Sequence, residues 1–251
     1  MILPHDILRS TVGSGLHGIA VEGTDDNDEM GIFIEPPAAV FGVAKFPEHE
    51  VVRTQPEGAR SGPGDTDLVR YSLRKYLRLA VQGNPTILLP LYAPESALLV
   101  RTPLGMELRE LRRAIVSRQA GPRFLGYMKA QRERLQGLRG RRGVNRPELI
   151  AKYGYDTKYA SHAVRLALQG IELLTTGQIT LPMIDAERKE VLEVKTGQWS
   201  LQYVLGQLEE LEDELEYALT CKDALPEHPD YDAIAEWSHG AHLASWRGES
   251  A

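Results

Sequence analysis

Apolar and polar residues are arranged in two different ways along this chain of 251 residues. Up to about residue 92, short apolar runs are separated by turns that contain Gly and Pro, which is typical of α/β structure. From about residue 104 onward, apolar residues mostly recur every three or four positions, which predicts helices. The pattern therefore predicts an α/β domain over residues 1–100 and an all-helical domain over residues 101–251.

In the first region we predict a short helix over 6–11, strands over 31–35 and 50–54, and a helix over 66–82. The last of these places an apolar face at steps of three and four. Its members are Val69, Leu73, Tyr76, Leu77 and Ala80. The sequence Gly83-Asn84-Pro85 is expected to end this helix.

In the second region we predict one helix or several over 104–135, and single helices over 157–175 and 199–221. The last of these carries an apolar stripe formed by Leu201, Val204, Leu208, Leu211, Leu215 and Ala218. Such a stripe is typical of the core of a helical bundle, and the alternative is a seam between two copies of the chain in a homodimer. The tail after Leu225 is predicted to lie on the surface.

The composition narrows the class of protein. A single cysteine, Cys221, excludes an intrachain disulfide and a cysteine-based zinc site, and fits a reducing compartment. No apolar run approaches the roughly 20 residues that span a bilayer. We therefore expect a cytoplasmic protein without a membrane partner.

The charge is distributed unevenly. The formal net charge is −6, yet residues 109–146 contain 12 Lys and Arg and two acidic residues, which gives +10 for that segment. A nucleic acid could be attracted to such a region. We predict RNA binding by Arg139, Arg141 and Arg142, in a loop flanked by Gly137 and Gly143. The alternative is a solvated helix face that happens to be basic.

A cluster of acids lies in the stretch VGSGLHGIAVEGTDDNDEMGIFIEP, residues 12–36. On a strand, Asp26 and Asp28 would share one face, where their carboxylates suit a hard cation such as Mg²⁺. The preceding turn at Gly13 and Ser14 can bring N–H groups and a hydroxyl close to a phosphate. The alternative is a solvated acidic turn.

A second candidate site lies on the helix predicted over 157–175. Lys158, His162 and Arg165 are spaced i, i+4 and i+7, which places them on one helix face. Two cations and an imidazole suit a polyphosphate, so we predict nucleotide binding there, with His162 as a contact and not a general base. An ordinary basic face of an amphipathic helix is the alternative.

Three stretches together resemble one known family. They are GSGLHGIAVEGTDDNDEMGIFIEPP, DLVRYSLRKYLRLAVQGNPTIL and YGYDTKYASHAVRLALQGIELLTTG. They resemble the RNA-repair-associated branch, called RlaP, of the DNA polymerase beta nucleotidyltransferase superfamily. The resemblance covers residues 10–180. It implies a polymerase-beta-like α/β (α+β) nucleotidyltransferase domain followed by an all-helical C-terminal domain.

The resemblance also implies an activity. Gly13 and Ser14 would hold the triphosphate of an NTP, and Asp26 and Asp28 would bind Mg²⁺, with Mn²⁺ as an alternative. Asp67 would be the third metal-binding carboxylate and the base toward the attacking hydroxyl. The enzyme would then move an NMP to a hydroxyl acceptor and release pyrophosphate, and a tRNA-like RNA end is the expected acceptor.

The chain departs from the family pattern at two positions. Asp25 stands where the family usually has Ser or Thr, which leaves the register of the acidic pair open. Leu89 stands where the family often has Glu. For the third carboxylate, Asp65 and Glu50 are rivals of Asp67.

Two other functions fit the same residues. One is the same chemistry on a protein or a small molecule, in which case the basic segment would be structural. The other is a non-catalytic module that binds nucleotide or RNA.

Overall fold

The structure, a computed structural model, describes residues 4–21, 27–43, 45–55, 62, 64–139, 146–221 and 223–248. The chain divides into two compact units. The first contains residues 1–117 and 228–251, and the second contains residues 118–227. Relative to the predicted domains, the first unit therefore extends past residue 100 and includes the end of the chain.

Five strands are described. They are β1 (Asp6–Thr11), β2 (Asn27–Phe33), β3 (His49–Arg53), β4 (Thr66–Ser72) and β5 (Leu98–Arg101). They form one mixed sheet in the first unit, in the order β3-β4-β2-β1-β5. The β2–β4 pair is parallel, and the other three pairs are antiparallel.

Six helices of the first unit precede the second unit in the chain, and they accompany one 3₁₀ turn at Glu95–Ala97. The helices are α1 (Gly13–His17), α2 (Pro37–Phe41), α3 (Leu73–Ala80), α4 (Leu89–Tyr92), α5 (Pro103–Glu110) and α6 (Arg112–Ile115). The second unit contains α7 (Ala120–Leu135), α8 (Pro147–Tyr153), α9 (Thr157–Thr176), α10 (Asp185–Lys195) and α11 (Leu201–Cys221). The last helix, α12 (Tyr231–Arg247), returns to the first unit.

Two predictions of local structure are wrong. Residues 6–11 form strand β1 and not a helix, because they pair with β2 on one side and β5 on the other. The helix predicted over 66–82 is strand β4 followed by the shorter helix α3. Ser72 caps α3 by accepting a hydrogen bond from the Lys75 N–H at 3.4 Å. Short apolar runs fit both periods, so only the pairing of strands decides between them.

The second unit is arranged around α9, which packs against α7, α10 and α11. Small residues allow this close packing. A Cβ atom built on Gly170 of α9 would lie 2.9 Å from Phe124 Cβ of α7 and 3.0 Å from Leu215 Cδ1 of α11. The predicted helix over 157–175 is confirmed within one residue, because α9 is bounded by the Asp156 cap and by Gly177 in the left-handed conformation. The helical stretch predicted over 104–135, as one helix or several, contains the three helices α5, α6 and α7.

The apolar stripe of α11 is a core face. Its buried members are Val204, Leu208, Leu211, Leu215 and Ala218. They are covered by other helices of the second unit, which fits the core interpretation of the stripe. The homodimer alternative for this helix stays a prediction, and it would have to use other faces of α11.

The tail, predicted as a surface segment, contains α12, which is anchored to the first unit by Glu35. Trp246 Nε1 donates to the Glu35 carbonyl oxygen at 2.7 Å. His242 Nε2 lies 3.2 Å from Glu35 Oε2, and its Nδ1 lies 2.7 Å from the Ser238 carbonyl oxygen. Because both ring nitrogens face oxygen acceptors, the imidazolium form satisfies both contacts.

The Glu35–His242 pair shifts both pKa values in opposite directions. Burial lowers the pKa of His242, but hydrogen bonds to Glu35 and to the Ser238 carbonyl outweigh burial and raise it. Burial raises the pKa of Glu35, but the His242 hydrogen bond and others outweigh it and lower the pKa. The pair is therefore fully charged between these two pKa values.

Among the described residues, no helix combines the length and the apolar character that crossing a lipid bilayer requires.

We predict that His242→Gln lowers the free energy of unfolding by about 2 kcal/mol near pH 6, because Glu35 loses a charged hydrogen bond. A raised His pKa contributes stability that is present below its ordinary pKa of about 6.5 and lost as pH rises through the folded-state pKa. The difference between the two proteins should therefore shrink at alkaline pH. Urea unfolding at several pH values measures this difference.

His239→Gln, on the exposed face of the same helix, is the matched control and should change the free energy of unfolding little. An equal loss at every pH would contradict the prediction.

Candidate active site

Two of the predicted carboxylates lie side by side in the sheet. Asp28 of β2 and Asp67 of β4 are register partners on adjacent parallel strands. Neighbouring strands lie about 4.8 Å apart, and register partners in a parallel pair point to the same face of the sheet. The two carboxylates are therefore close neighbours on one face, although they are 39 positions apart in the sequence.

The glycine turn lies directly against one of these carboxylates. The Val12 N–H donates to the Asp28 carbonyl oxygen at 2.8 Å, which fixes the end of β1 beside β2. The next residue, Gly13, has φ of +68°, and a Cβ atom built there would overlap Asp28 Oδ2. Gly13 and Ser14 begin helix α1, so the predicted turn is its first residues. Only a residue without a side chain can occupy position 13.

Asp67 contacts polar side chains from the adjacent strand and from the residues after it. Gln55 Nε2 donates to Asp67 Oδ1 at 2.9 Å, and Arg53 Nε lies 3.4 Å from the same oxygen. Arg53 is also the register partner of Asp67 in the antiparallel β3–β4 pair. A row of Arg53, Asp67 and Asp28 thus crosses three strands, and the guanidinium offsets part of the repulsion between the two acids.

The two rivals of Asp67 have other contacts. Asp65 Oδ2 accepts from the Gly62 N–H at 2.9 Å, and Asp65 Oδ1 accepts from the Thr54 hydroxyl at 3.2 Å. Glu50 Oε2 lies 2.9 Å from Arg70 Nη1. These two acids stabilise a turn and the outer strand pair, and neither is the register partner of Asp28.

Asp26 and its alternative Asp25 lie outside the described residues, so their predicted positions are not tested. Among the described residues, no group of three or more His, Cys, Asp or Glu side chains could hold a metal ion. The described part of the candidate metal site is therefore the pair Asp28 and Asp67, which offers the carboxylate oxygens that Mg²⁺ prefers.

A buried ion network that the sequence did not predict lies on the other face of the sheet. Asp6, 5% exposed, accepts from Arg9 Nε at 2.6 Å and from Arg70 Nε at 2.7 Å. Arg9, Gly31 and Arg70 are register partners across β1, β2 and β4. A Cβ on Gly31 would lie 2.7 Å from Asp6 Oδ2, so the glycine makes room for this carboxylate.

The spacing of residues along β2 and β4 contains a signal for this network. Gly31 is three positions after Asp28 and Arg70 is three positions after Asp67, so both lie on the face opposite to the acids. Once residues 6–11 are recognised as a strand, Asp6 and Arg9 can be assigned to the same sheet.

The second candidate site belongs to the second unit. Lys158, His162 and Arg165 lie along α9, and the Arg165 guanidinium donates to Gln169 Oε1 at 2.8 Å. Burial, together with the positive charges of Arg165, Lys158, Arg146 and Lys195, lowers the pKa of His162 to about 3. Burial lowers the pKa of Arg165 to about 10. His162 is thus a neutral imidazole among cations, an environment that an anion would stabilise.

The basic segment 109–146 is divided between structural and exposed cations. Lys129 Nζ lies 2.8 Å from Glu212 and 2.9 Å from Glu216, and Arg132 pairs with Glu212, so these two cations join α7 to α11. Arg139 is exposed and lies 3.3 Å from Glu133. Arg141 and Arg142 lie outside the described residues.

Comparison with known proteins agrees with this architecture. The five-stranded mixed sheet with its helical C-terminal part is that of a polymerase-beta-like nucleotidyltransferase. The sequence model of the RNA repair pathway DNA polymerase beta family, RlaP, matches residues 5–239, and the chain belongs to this family. No curated protein matches the chain in sequence.

One similar solved structure is a nucleotidyltransferase-like protein from Exiguobacterium sibiricum 255-15. It is 11% identical in sequence, and the match covers 96% of this chain and 73% of that one with a TM-score of 0.31.

We predict that Gly13→Ala destabilises the first unit by about 1–2 kcal/mol from the left-handed backbone alone, and by more because its Cβ displaces Asp28. Gly15→Ala is the control, since a Cβ there meets only Thr11 Cγ2 at 3.9 Å. Chemical unfolding of the two variants measures the difference. Equal stability of both would contradict the close approach of Gly13 to Asp28.

We also predict that the His162 ring shows no titration above about pH 5, because its pKa of about 3 keeps it neutral. Added inorganic triphosphate should raise that pKa, since an anion beside the ring stabilises the imidazolium. Ring-nitrogen NMR shifts followed against pH measure both effects. A free-protein titration near the ordinary pKa of about 6.5 would refute the burial of this ring among cations.

Proposed function

We propose that this protein is a metal-dependent nucleotidyltransferase that moves an NMP from an NTP to a hydroxyl acceptor and releases pyrophosphate. The observation that carries the proposal is the register of Asp28 and Asp67 on adjacent parallel strands, with Gly13 against Asp28. Membership of the RNA repair pathway DNA polymerase beta family supports it.

Asp28 and Asp67 would hold the divalent cation, Mg²⁺ or Mn²⁺, and Asp26 would complete the set. Such an ion neutralises charge on the phosphate oxygens during an in-line displacement. The residues fit because carboxylates are hard oxygen ligands that repel each other until a cation binds. Gln55 and Arg53, which now contact Asp67 Oδ1, would then share or release that oxygen.

In the reaction, the oxygen of the acceptor hydroxyl attacks the α-phosphorus, and the bond from that phosphorus to the bridging β-phosphate oxygen breaks. Pyrophosphate leaves, and Asp67 takes the hydroxyl proton. Gly13 and Ser14 would orient the triphosphate. Lys158, His162 and Arg165 would bind phosphate or base, with the neutral ring of His162 as a hydrogen-bonding contact and not as a base.

An RNA acceptor, such as a tRNA-like end in RNA repair or modification, is favoured by the net positive charge of residues 109–146, which includes Arg139, Arg141 and Arg142. Phosphate binding by such cations releases counterions and depends on salt. The single cysteine, Cys221, which is free and exposed, fits a cytoplasmic location.

Two competing functions lead to different products. Transfer to a protein or a small molecule would leave RNA unlabelled and would show little dependence on salt. A non-catalytic module would bind nucleotide or RNA without turnover. Incubation with each α-labelled NTP, Mg²⁺ and total RNA distinguishes the three functions. Label on RNA indicates transfer to RNA, label on a protein or small molecule indicates the second function, and no label on any acceptor indicates a non-catalytic module.

We predict that Asp67→Asn lowers the rate of transfer at least roughly 100-fold, since it removes the base and a carboxylate ligand without changing shape. Asp65→Asn is the matched control. It removes the same charge two residues away, where the carboxylate accepts from the Gly62 N–H and the Thr54 hydroxyl, and it should keep most of the activity. Loss of activity in Asp65→Asn with normal turnover by Asp67→Asn would reverse the assignment of the third carboxylate.

A further inference from the structure

One face of helix α7 lines a groove of about 440 Å³ in the second unit. Arg123, Tyr127, Gln131 and Arg134 lie at spacings of four, four and three, so they form one stripe along the helix. Gly126 leaves the groove open, and Arg139 lies at the end that follows the helix. The volume is within the range of pockets that bind small ligands, about 300–1,000 Å³.

The groove is positively charged. Three arginines line it, and none of its described lining residues is acidic. Lys129 and Arg132 of α7 are outside the groove and are neutralised by the acids of α11. The Arg139 guanidinium has an exposed partner, Glu133, at 3.3 Å, and an exposed pair of this kind contributes little.

The groove also contains a hydrogen-bond acceptor that lacks a donor. Gln131 Oε1 is buried and has no hydrogen-bond partner within the described part of the chain. An unsatisfied buried acceptor is unfavourable, and a ligand with an N–H donor would satisfy it. Beside it, Tyr127 is 40% exposed and offers a ring for stacking.

We propose that this groove binds a nucleotide of a single-stranded nucleic acid. The arginines bind its phosphates, the base stacks on Tyr127, and an N–H group of the base donates to Gln131 Oε1. This combination of cations with an aromatic platform is how single strands are bound with little dependence on sequence. This assignment rests on the proposed function in one respect, namely that a nucleic acid is the partner.

An acidic protein segment is the other polyanion that arginines attract. Its Asp and Glu side chains would pair with the guanidinium groups, but they offer no flat ring for Tyr127 and no N–H donor for Gln131 Oε1. The combination of ring, orphan acceptor and cations therefore favours a nucleotide.

The decisive variant is Gly126→Leu, which fills the groove. A Cβ atom on Gly126 meets no atom within 4 Å, so the new side chain projects into open space and the fold should be retained. Gly206→Leu on α11 is the matched control, because a Cβ there also meets no atom within 4 Å and position 206 is outside the groove. Circular dichroism establishes that both variants fold.

Binding is measured by fluorescence anisotropy of labelled single strands of roughly 12 nucleotides, as RNA and as DNA, at low salt without NTP or divalent cation. Gly126→Leu should weaken binding at least tenfold, and Gly206→Leu should leave it unchanged. Tyr127→Leu should weaken binding roughly tenfold, in line with the loss of one stacked base.

Two results would overturn the assignment. One is Gly126→Leu binding both strands as tightly as the unaltered protein. The other is poly-glutamate displacing RNA at equal charge concentration, which would assign the groove to an acidic protein segment. The nucleotide-transfer assay is independent, because it needs NTP and Mg²⁺. Groove-dependent RNA binding with label only on protein would refute the proposed acceptor and leave the groove assignment intact.

Discussion

The parallel pairing of β2 with β4 is the constraint on which the candidate active site depends. It places Asp28 next to Asp67, and a slip of one residue would turn one of these acids to the opposite face. Asp6 helps to fix the register from the opposite face, because its carboxylate passes over Gly31 and holds arginines from β1 and β4. Loss of one partner from such a buried pair typically costs about 3–5 kcal/mol. The network that fixes the register is therefore physically separate from the acids that it positions.

Glycine has two different uses around this sheet. Gly31 leaves space for the Asp6 carboxylate, and Gly13 permits both a left-handed turn and close approach to Asp28. Each glycine thus leaves room for a carboxylate that any side chain at its position would displace. Positive charge balances the acids on both faces of β4. Arg53 lies beside Asp67 on one face, and Arg70 binds Asp6 on the other.

The second unit distributes its cations by function. Lys129 and Arg132 form ion pairs with acids of α11 and hold the two helices together. The positive charge that a ligand can contact is therefore smaller than the formal charge of residues 109–146. Other cations of the second unit lie along the α7 groove and around His162, where burial and the neighbouring positive charges lower the pKa of the imidazole. Clusters of like charge in a folded unit are unfavourable without an anion, and this is the physical basis for expecting anionic ligands at both places.

By itself the sequence determined the long helices α9 and α11, since their apolar periodicity extends over several turns, and α9 is also bounded by Asp156 and Gly177. Its motifs also led to the family and to the candidate residues Gly13, Ser14, Asp28 and Asp67. Only the tertiary structure decided that residues 6–11 and 66–72 are strands, that Asp67 and not Asp65 or Glu50 is the register partner of Asp28, and that α12 returns to Glu35. The physical reason is that the periodicity of a helix is contained within its own segment of sequence, whereas the identity and register of a strand depend on partners far away in the chain.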